Sequence, residues 1–225
     1  MKNPQKLLSM SAVALPLILT SQSVQAASIV ASDDNFVLNS QSGTVQSSGG
    51  TGETLVVKDA SNNIRKSWLK FDLTGQNVDF SQSGTVTLTL AGSPSANFNL
   101  SLYALDDTGV TAPTWTESTL TWNNAPGNDT GGPGIRELES GETTLLGQTS
   151  QINSGTAAGS SYQFNISDLS TFLQSDNTIT VIAISDQSDP GPSFTIASSE
   201  HATEAWRPTL TFTQIPEPGS FALLS

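Results

Sequence analysis

The sequence predicts an all-β protein that folds as a single antiparallel β-sandwich. Of its 225 residues, 33 are Ser and 27 are Thr, and only 12% are charged. This composition favours short strands joined by polar turns over helices rich in Leu, Glu and Lys. The apolar content of 36% is low but still allows a chain of this length to bury a core. Because no segment repeats at a fixed period, a solenoid or a propeller is not expected.

The first predicted element is a secretory signal peptide over residues 1–26. It begins with two lysines, is apolar over Leu7–Leu19 and ends in small side chains. The apolar stretch is shorter than the ~20 residues that span a bilayer, and Pro16 interrupts it, so a membrane span is not favoured. We therefore expect export and cleavage after Ala26.

The body of the chain, residues 27–214, is predicted to be one β-sandwich domain. Six of its segments are apolar and β-branched or alternate with the two-residue period of a strand. Thr178–Ser185 is apolar on both faces, which is typical of a central strand covered on both sides. The six segments are Thr54–Lys58, Ser67–Leu73, Thr85–Leu90, Asn97–Leu105, Thr178–Ser185 and Thr209–Thr213.

Two further segments are predicted to connect these strands. Residues 167–173 have the apolar spacing of a helical turn or two, with Ser167 as the N-cap. Residues 125–144 are rich in Gly, Pro and acidic residues and contain few apolar ones. That composition is typical of a long surface loop.

Charge and residue inventory exclude several function classes. The net charge is −12, and nucleic-acid binding requires Lys and Arg to neutralise phosphates, so no nucleic-acid partner is expected. The same acidic balance disfavours attraction to polyanionic sugars. Since there is no Cys and the one His is His201, disulfides, thiolate nucleophiles and zinc sites built on Cys or His are not expected.

Four short motifs follow one another along nearly the whole chain body. They are Ala31–Val37, Arg65–Leu73, Trp115–Glu117 with Leu120–Pro126, and Ser199–Glu200 with Arg207–Leu210. In this order they resemble the DNRLRE-type modules, also called family 96 carbohydrate-binding modules. The resemblance implies a jelly-roll-like sandwich that binds polysaccharide, and the acidic charge of this chain favours a neutral one. Trp68 stands where the family usually has Tyr.

The motif residues are expected to be structural. Trp122 shares strand parity with Leu120, so both should point into the core. Glu117 is expected to accept hydrogen bonds from the loop that contains Trp122 and Asn123, called here the Trp-Asn motif or loop. Arg207 is expected to pair with Glu200. The structural motif residues are Trp115, Glu117, Trp122, Asn123, Glu200 and Arg207.

The polar face of Ser67–Leu73 is the candidate carbohydrate-binding surface. Strand alternation places Trp68, Lys70 and Asp72 on the face opposite Leu69 and its apolar neighbours. An aromatic ring beside hydrogen-bonding groups suits a sugar, whose C–H face packs on the ring while its hydroxyls bind polar groups. The alternative is that Trp68 lies outside the main core but packs beneath the loop of residues 125–144.

Acidic side chains offer candidate metal sites, of which Asp33 with Asp34 is the favoured one, and no clear catalytic site. Asp33 and Asp34 provide hard oxygen ligands suited to a structural calcium ion, with solvated turn acids as the alternative. Glu117, and Glu200 beside His201, are acid–base candidates in principle, but structural roles are favoured for them. No other cofactor is expected.

The last segment, residues 215–225, contains a Pro-Glu-Pro sequence and resembles the start of a PEP-CTERM sorting signal. The five apolar or small residues that follow Gly219 and Ser220 are too few to span a bilayer, so we expect a truncated or decayed signal. The resemblance implies the envelope or exopolysaccharide matrix of a Gram-negative bacterium. This segment is the one membrane link that the sequence suggests.

Three function classes follow from these observations. The first is an exported, non-catalytic polysaccharide-binding module. The second is a structural or adhesive matrix protein of the same fold without a specific sugar site. The third is a polysaccharide-degrading enzyme, for which no nucleophile–base pair is evident. A glycan array separates the first two, and release of reducing sugar identifies the third.

Overall fold

A computed structural model describes residues 25–46, 52–60, 63–106, 114–131, 137–185 and 193–215. The predicted signal peptide up to residue 24 and the Pro-Glu-Pro segment from residue 216 lie outside the described residues. Within the described ranges, no helix has both the length and the apolar character that crossing a bilayer requires.

The regular secondary structure of the described chain is almost entirely β-strand. Three short 3-10 helices span Asn39–Gln41, Leu169–Thr171 and Glu204–Trp206. The strands are β1 (Gln25–Val30), β2 (Asp33–Leu38), β3 (Thr54–Lys58), β4 (Arg65–Asp72), β5 (Gly84–Thr89), β6 (Leu100–Leu105), β7 (Thr143–Gln148), β8 (Ser161–Ile166), β9 (Thr178–Ser185), β10 (Ser193–Ala197) and β11 (Thr209–Gln214).

The strands form two antiparallel sheets that pack face to face. The smaller sheet has the strand order β1-β11-β5-β8, and the larger one has the order β10-β3-β4-β9-β6-β7, with β2 paired to β4. The core between them takes apolar side chains from both sheets, among them Phe71, Val86, Phe164 and Leu210. This arrangement confirms the predicted β-sandwich.

A second apolar cluster lies on the outer face of the larger sheet. Residues 114–131, called here the covering segment, pack on this face. Between β4 and β9 the register pairs Trp68 with Ile182 and Leu69 with Val181, so successive residues alternate between the outer cluster and the core between the sheets. The outer cluster contains Val37, Ile64, Trp68, Trp115, Leu120, Trp122, Ala125, Leu138, Ile182 and Ile184.

The predicted central strand is confirmed. All eight residues of β9 are buried. Ile179 and Val181 face the core between the sheets, and Ile182 and Ile184 face the outer cluster. A strand covered on both sides explains why its sequence shows no polar face.

Two predicted connections differ from the structure. The helical turn is a 3-10 helix over Leu169–Thr171, and its cap is Asp168 rather than Ser167, because the Asp168 carboxylate accepts the Ser170 N–H at 2.9 Å. The predicted surface loop of residues 125–144 is wrong in part. Ala125 and Leu138 belong to the outer cluster and Gly127 and Asn128 are buried, whereas residues 139–142 are exposed, and the last two residues begin β7.

Candidate functional site

The outer face of β4 holds the covering segment in place. Trp68 Nε1 donates to the Pro126 carbonyl oxygen at 3.0 Å, and Lys70 Nζ donates to the Trp115 carbonyl oxygen. One strand therefore supplies an apolar surface and two directed donors to the same segment. Donors to otherwise unpaired carbonyls matter here, because a buried backbone group without a partner costs about 1–3 kcal/mol.

Two buried lysines on this face lie against indole rings. Lys66 Nζ lies 4.7 Å from the centroid of the Trp122 ring, and Lys70 Nζ lies 4.5 Å from that of Trp115. Lys66 Nζ also donates to Asn128 Oδ1 at 2.9 Å and to the Glu137 carbonyl oxygen. Burial lowers the pKa of Lys66 to about 7, against the raising effect of nearby carboxylates.

The predicted carbohydrate-binding surface on β4 is therefore wrong. Trp68 is 0% exposed and Lys70 is 8% exposed, so neither offers a face to a sugar. Asp72 is exposed, but its carboxylate accepts the Thr74 N–H at 2.8 Å, and hydrogen bonding to Thr74 lowers its pKa. The alternative in which Trp68 packs beneath the connecting segment is confirmed.

The Trp-Asn motif forms the covering segment itself. Trp122 is 2% exposed, which confirms its predicted place in an apolar core. Asn123 contributes through its backbone N–H, which donates to the Ser42 carbonyl oxygen at 3.1 Å, while its side chain is exposed. Asn124, which sequence reasoning did not single out, fixes the turn: its Oδ1 accepts the Thr121 N–H at 2.7 Å.

One glycine lets the covering segment approach the sheet closely. Gly127 has φ +70°, and a Cβ at this position would lie 2.6 Å from Thr143 Cγ2 and 3.1 Å from Leu105 Cδ1. Both the backbone conformation and the lack of space therefore require glycine here.

Three carboxylates from distant parts of the chain meet beside the covering segment. Asp34 comes from β2, Glu117 from the covering segment, and Glu200 from the turn that follows β10. Each brings one carboxylate oxygen within 4.8 Å of the other two. Glu117 and Glu200 are 83 and 166 positions away from Asp34 in the sequence, so the tertiary fold alone brings the three together.

Hydrogen bonds hold these carboxylates but leave two oxygens without partners. Asp34 Oδ2 accepts the Ser199 N–H at 2.6 Å, and Glu117 Oε1 accepts the Asp34 N–H at 3.3 Å. Glu200 Oε1 accepts the Ser199 hydroxyl. Asp34 Oδ1 and Glu200 Oε2 are buried without any hydrogen-bond partner.

The electrostatics of this cluster favour protons or a cation. Burial raises the pKa of Asp34 to about 7, and the Glu200 and Glu117 charges add to the effect. Burial also raises the pKa of Glu117, with contributions from Glu200 and Asp33. Like charges in a desolvated site disfavour ionisation, which is the physical origin of both shifts.

Several predicted contacts of the motif residues are corrected. Asp33 does not join the cluster but lies 3.8 Å from Lys70 Nζ. Glu117 accepts from β2, through the Asp34 N–H, rather than from the Trp-Asn loop. Arg207 does not pair with Glu200; its Nε donates to the carbonyl oxygen of His201 at 2.9 Å.

His201 has a structural place. It is 7% exposed and stacks on Trp206 with ring centroids 5.0 Å apart. Its Nδ1 accepts the Thr203 N–H at 3.1 Å. The imidazole is therefore engaged within its own turn and is buried there, rather than lying on a surface loop.

A cleft lies at the edge of the sandwich, where β7 and β8 end the two sheets. Its volume is about 530 Å³. The lining contains buried apolar residues, a half-buried tyrosine and many amide and hydroxyl side chains, but no charged residue. These residues are Leu146, Gly147, Gln148, Thr149, Ser150, Gln151, Ile152, Asn153, Thr156, Tyr162, Gln163, Phe164 and Asn165.

The cleft has the chemistry of a site for an uncharged polyhydroxyl ligand. Phe164 and Ile152 are buried, Tyr162 is half-buried, and the side chains of Asn153 and Gln163 are exposed. Within the described part of the chain, these last two amides have no hydrogen-bond partner. Each can both donate and accept, as sugar hydroxyls require.

Sequence reasoning did not find this cleft. The alternation in Ser161–Ile166 indicates a strand, and Gln148–Gln151 is a run of uncharged polar residues. Neither signal is specific, because the solvent face of any edge strand in a Ser- and Thr-rich chain looks similar. What creates the cleft is the separation of two edge strands in different sheets.

The chain is similar to known proteins over different parts of its length. Carbohydrate-binding module family 96 matches residues 25–171. A gellan lyase from a Bacillus species is 34% identical over 101 residues, which are 44% of this chain and 4% of that protein's length. The structure of infectious bursal disease virus, Gt strain, matches 93% of this chain and 42% of its own, with 12% identity and a TM-score of 0.32. That similarity is too low to inform the fold.

Proposed function

Because the chain belongs to carbohydrate-binding module family 96, we propose that it is a non-catalytic module that binds a neutral polysaccharide in the cleft between β7 and β8. The observation that carries the proposal is the uncharged lining of this cleft in a protein of net charge −12. A site without charge avoids the repulsion that an anionic glycan would meet elsewhere on this protein.

Shape and residue type support the same ligand. Tyr162 is half-buried and packs partly against the core between the sheets, so its ring is a rigid platform for the C–H face of a sugar. The exposed amides of Asn153 and Gln163 supply hydrogen bonds at the rim.

Removing these groups is expected to weaken binding without unfolding the protein. Loss of the ring in Tyr162→Ala should reduce retention on a neutral polysaccharide by roughly tenfold, the equivalent of about 1.4 kcal/mol. Tyr162→Phe should retain most of the affinity, because it keeps the ring. The double variant Asn153→Ala with Gln163→Ala should lose about two hydrogen bonds, each contributing about 0.5–1.5 kcal/mol. Affinity gel electrophoresis and a glycan array that includes gellan measure these effects.

The matched control is Gln76→Ala, which removes an exposed amide outside the cleft. It should bind like the parent. Retention that is unchanged in all cleft variants would place the sugar site elsewhere. An array without any specific signal would favour the structural or adhesive alternative.

A polysaccharide-degrading activity is the alternative suggested by the similarity to a gellan lyase. The carboxyl group with the most raised pKa, that of Asp34, is 0% exposed. A group without exposed surface cannot reach the proton of a substrate. We therefore expect no release of reducing ends from bound polysaccharide, and their appearance would contradict the proposal.

We also propose export to the cell surface or extracellular matrix, with residues 215–225 as part of a sorting signal. All six residues of β1 pair with β11, but the ones that pack against the core between the sheets are Ala27 and Ile29, whereas Gln25 and Ala26 are exposed. Cleavage after Ala26 would therefore keep the part of β1 that contacts the core. The intact mass of exported protein should begin at Ala27, and Ala26→Gln should impair this processing. An exported mass that includes Met1–Ala26 would contradict the proposal.

A further inference from the structure

We infer that the carboxylates of Asp34, Glu117 and Glu200 form a calcium site that joins β2, the covering segment and the turn after β10. This inference is independent of polysaccharide binding, because none of the three residues lines the cleft. In this site, the cation would hold the covering segment against the sandwich.

The first argument is that a buried carboxylate has an oxygen without a hydrogen-bond partner. Asp34 is 0% exposed, its Oδ2 accepts the Ser199 N–H, and its Oδ1 has no hydrogen-bond partner. Glu200 Oε2 is likewise buried and unpartnered. Native proteins rarely leave such atoms unsatisfied, and here two of them belong to carboxylates that meet within 4.8 Å.

The second argument is the missing counter-charge. In the described parts of the chain, no ion pair involves Asp34, Glu117 or Glu200, and the neighbouring Asp33 pairs with Lys70. Lys70 is further engaged with Trp115. Three carboxylates are thus brought together without a basic partner, which is costly in a desolvated site unless a cation compensates them.

The third argument is the type and arrangement of the ligands. The ligand atoms are hard carboxylate oxygens from three separate segments, without nitrogen or sulfur, which disfavours zinc. Calcium accepts oxygen ligands at 2.3–2.6 Å in irregular geometry, whereas magnesium requires a near-ideal octahedron. Ligands about 2.4 Å from one ion lie at most about 4.8 Å apart, in keeping with the spacing of the three oxygens.

Protons shared among the carboxyl groups are the competing way to neutralise this cluster. The two cases make opposite predictions for Asp34→Asn, which is isosteric and uncharged. If protons neutralise the cluster, the substitution should raise the melting temperature and calcium should have no effect. If calcium neutralises it, the substitution should abolish the response to calcium.

The experiment is thermal unfolding of the full chain, first freed of divalent ions with a chelator and then titrated with CaCl₂ or MgCl₂. At a hundredfold excess over Kd, calcium should raise Tm by about 5–10 °C, and isothermal titration calorimetry should give one site. Glu117→Gln and Glu200→Gln should lose most of this shift. Both residues are half-buried, so these variants keep the test decisive if Asp34→Asn does not fold.

Asp33→Asn is the matched control. It removes the neighbouring carboxylate, which pairs with Lys70 and not with the cluster, and should keep the calcium-induced shift. An unchanged Tm of the parent with calcium would overturn the inference. So would an equal response to magnesium, or a response that Asp33→Asn loses and Glu200→Gln retains.

Discussion

Replacing Trp68 with alanine is expected to lower the free energy of unfolding by about 3–5 kcal/mol, the usual cost of a large-to-small change at a buried aromatic. The indole is 0% exposed, and its Nε1 donates to the Pro126 carbonyl oxygen. The substitution therefore opens a cavity beneath the covering segment and leaves a partly buried acceptor without its donor. Urea unfolding measures the effect, and Trp122→Ala should cost a similar amount.

Two variants separate the sources of this loss. Trp68→Phe keeps most of the apolar volume but removes the donor, so it should cost only about 1–3 kcal/mol. Trp206→Ala removes the same kind of side chain from a half-buried position and should cost less than Trp68→Ala. If Trp68→Ala unfolds at the urea concentration of the parent, the outer cluster does not stabilise the fold as described.

The stability of the protein is expected to increase as pH rises from about 7 to about 10. Burial lowers the pKa of Lys66 from 10.5 in its ordinary state to about 7. Between these values the unfolded chain binds a proton that the folded chain does not. Stability rises with pH wherever the unfolded state binds more protons, here by up to about 1.4 kcal/mol per pH unit.

The Lys66→Met variant tests this pH dependence. It should lose the Lys66 contribution to the slope of unfolding free energy against pH, although its stability at pH 7 also falls because Asn128 and the Glu137 carbonyl lose a donor. Comparing the slopes of the parent and the variant removes the contributions of other groups that titrate alike in both proteins. Lys58→Met removes a half-exposed lysine of β3 and should keep the slope of the parent. Equal slopes for the parent and Lys66→Met would show that Lys66 does not titrate in this range.

The larger part of the fold could be predicted from local patterns. Alternation in Ser67–Leu73 and Thr178–Ser185 gave the correct faces, since Leu69 and Val181 lie between the sheets and Trp68 and Ile182 lie outside them. Five strands were not predicted: β1, β2, β7, β8 and β10. β7 lies at the end of a segment whose Gly and Pro content indicates a loop, and β8 alternates over only six residues.

Single residues of the candidate sites could be predicted, but not how they come together. Asp34, Glu117 and Glu200 were each singled out, but not their meeting, and Asp33 lies against Lys70 rather than among the three carboxylates. The cleft was missed, since its polar residues resemble any exposed strand edge. Asn128 was also missed as a structural residue, although its side chain joins Lys66 to the Trp122 carbonyl oxygen.

The sequence by itself determined the fold class, the face on which each residue of the main strands lies and the motifs that define the family. These depend on composition and on a period of two residues, which are local properties of the chain. Only the tertiary structure decided that the outer face of β4 is covered, that three distant carboxylates converge and that the two edge strands leave a cleft. Each of these depends on which segments far apart in the chain come to lie against each other. The alternation of one strand predicts which face of the sheet a residue lies on, but it does not predict which segment packs on that face.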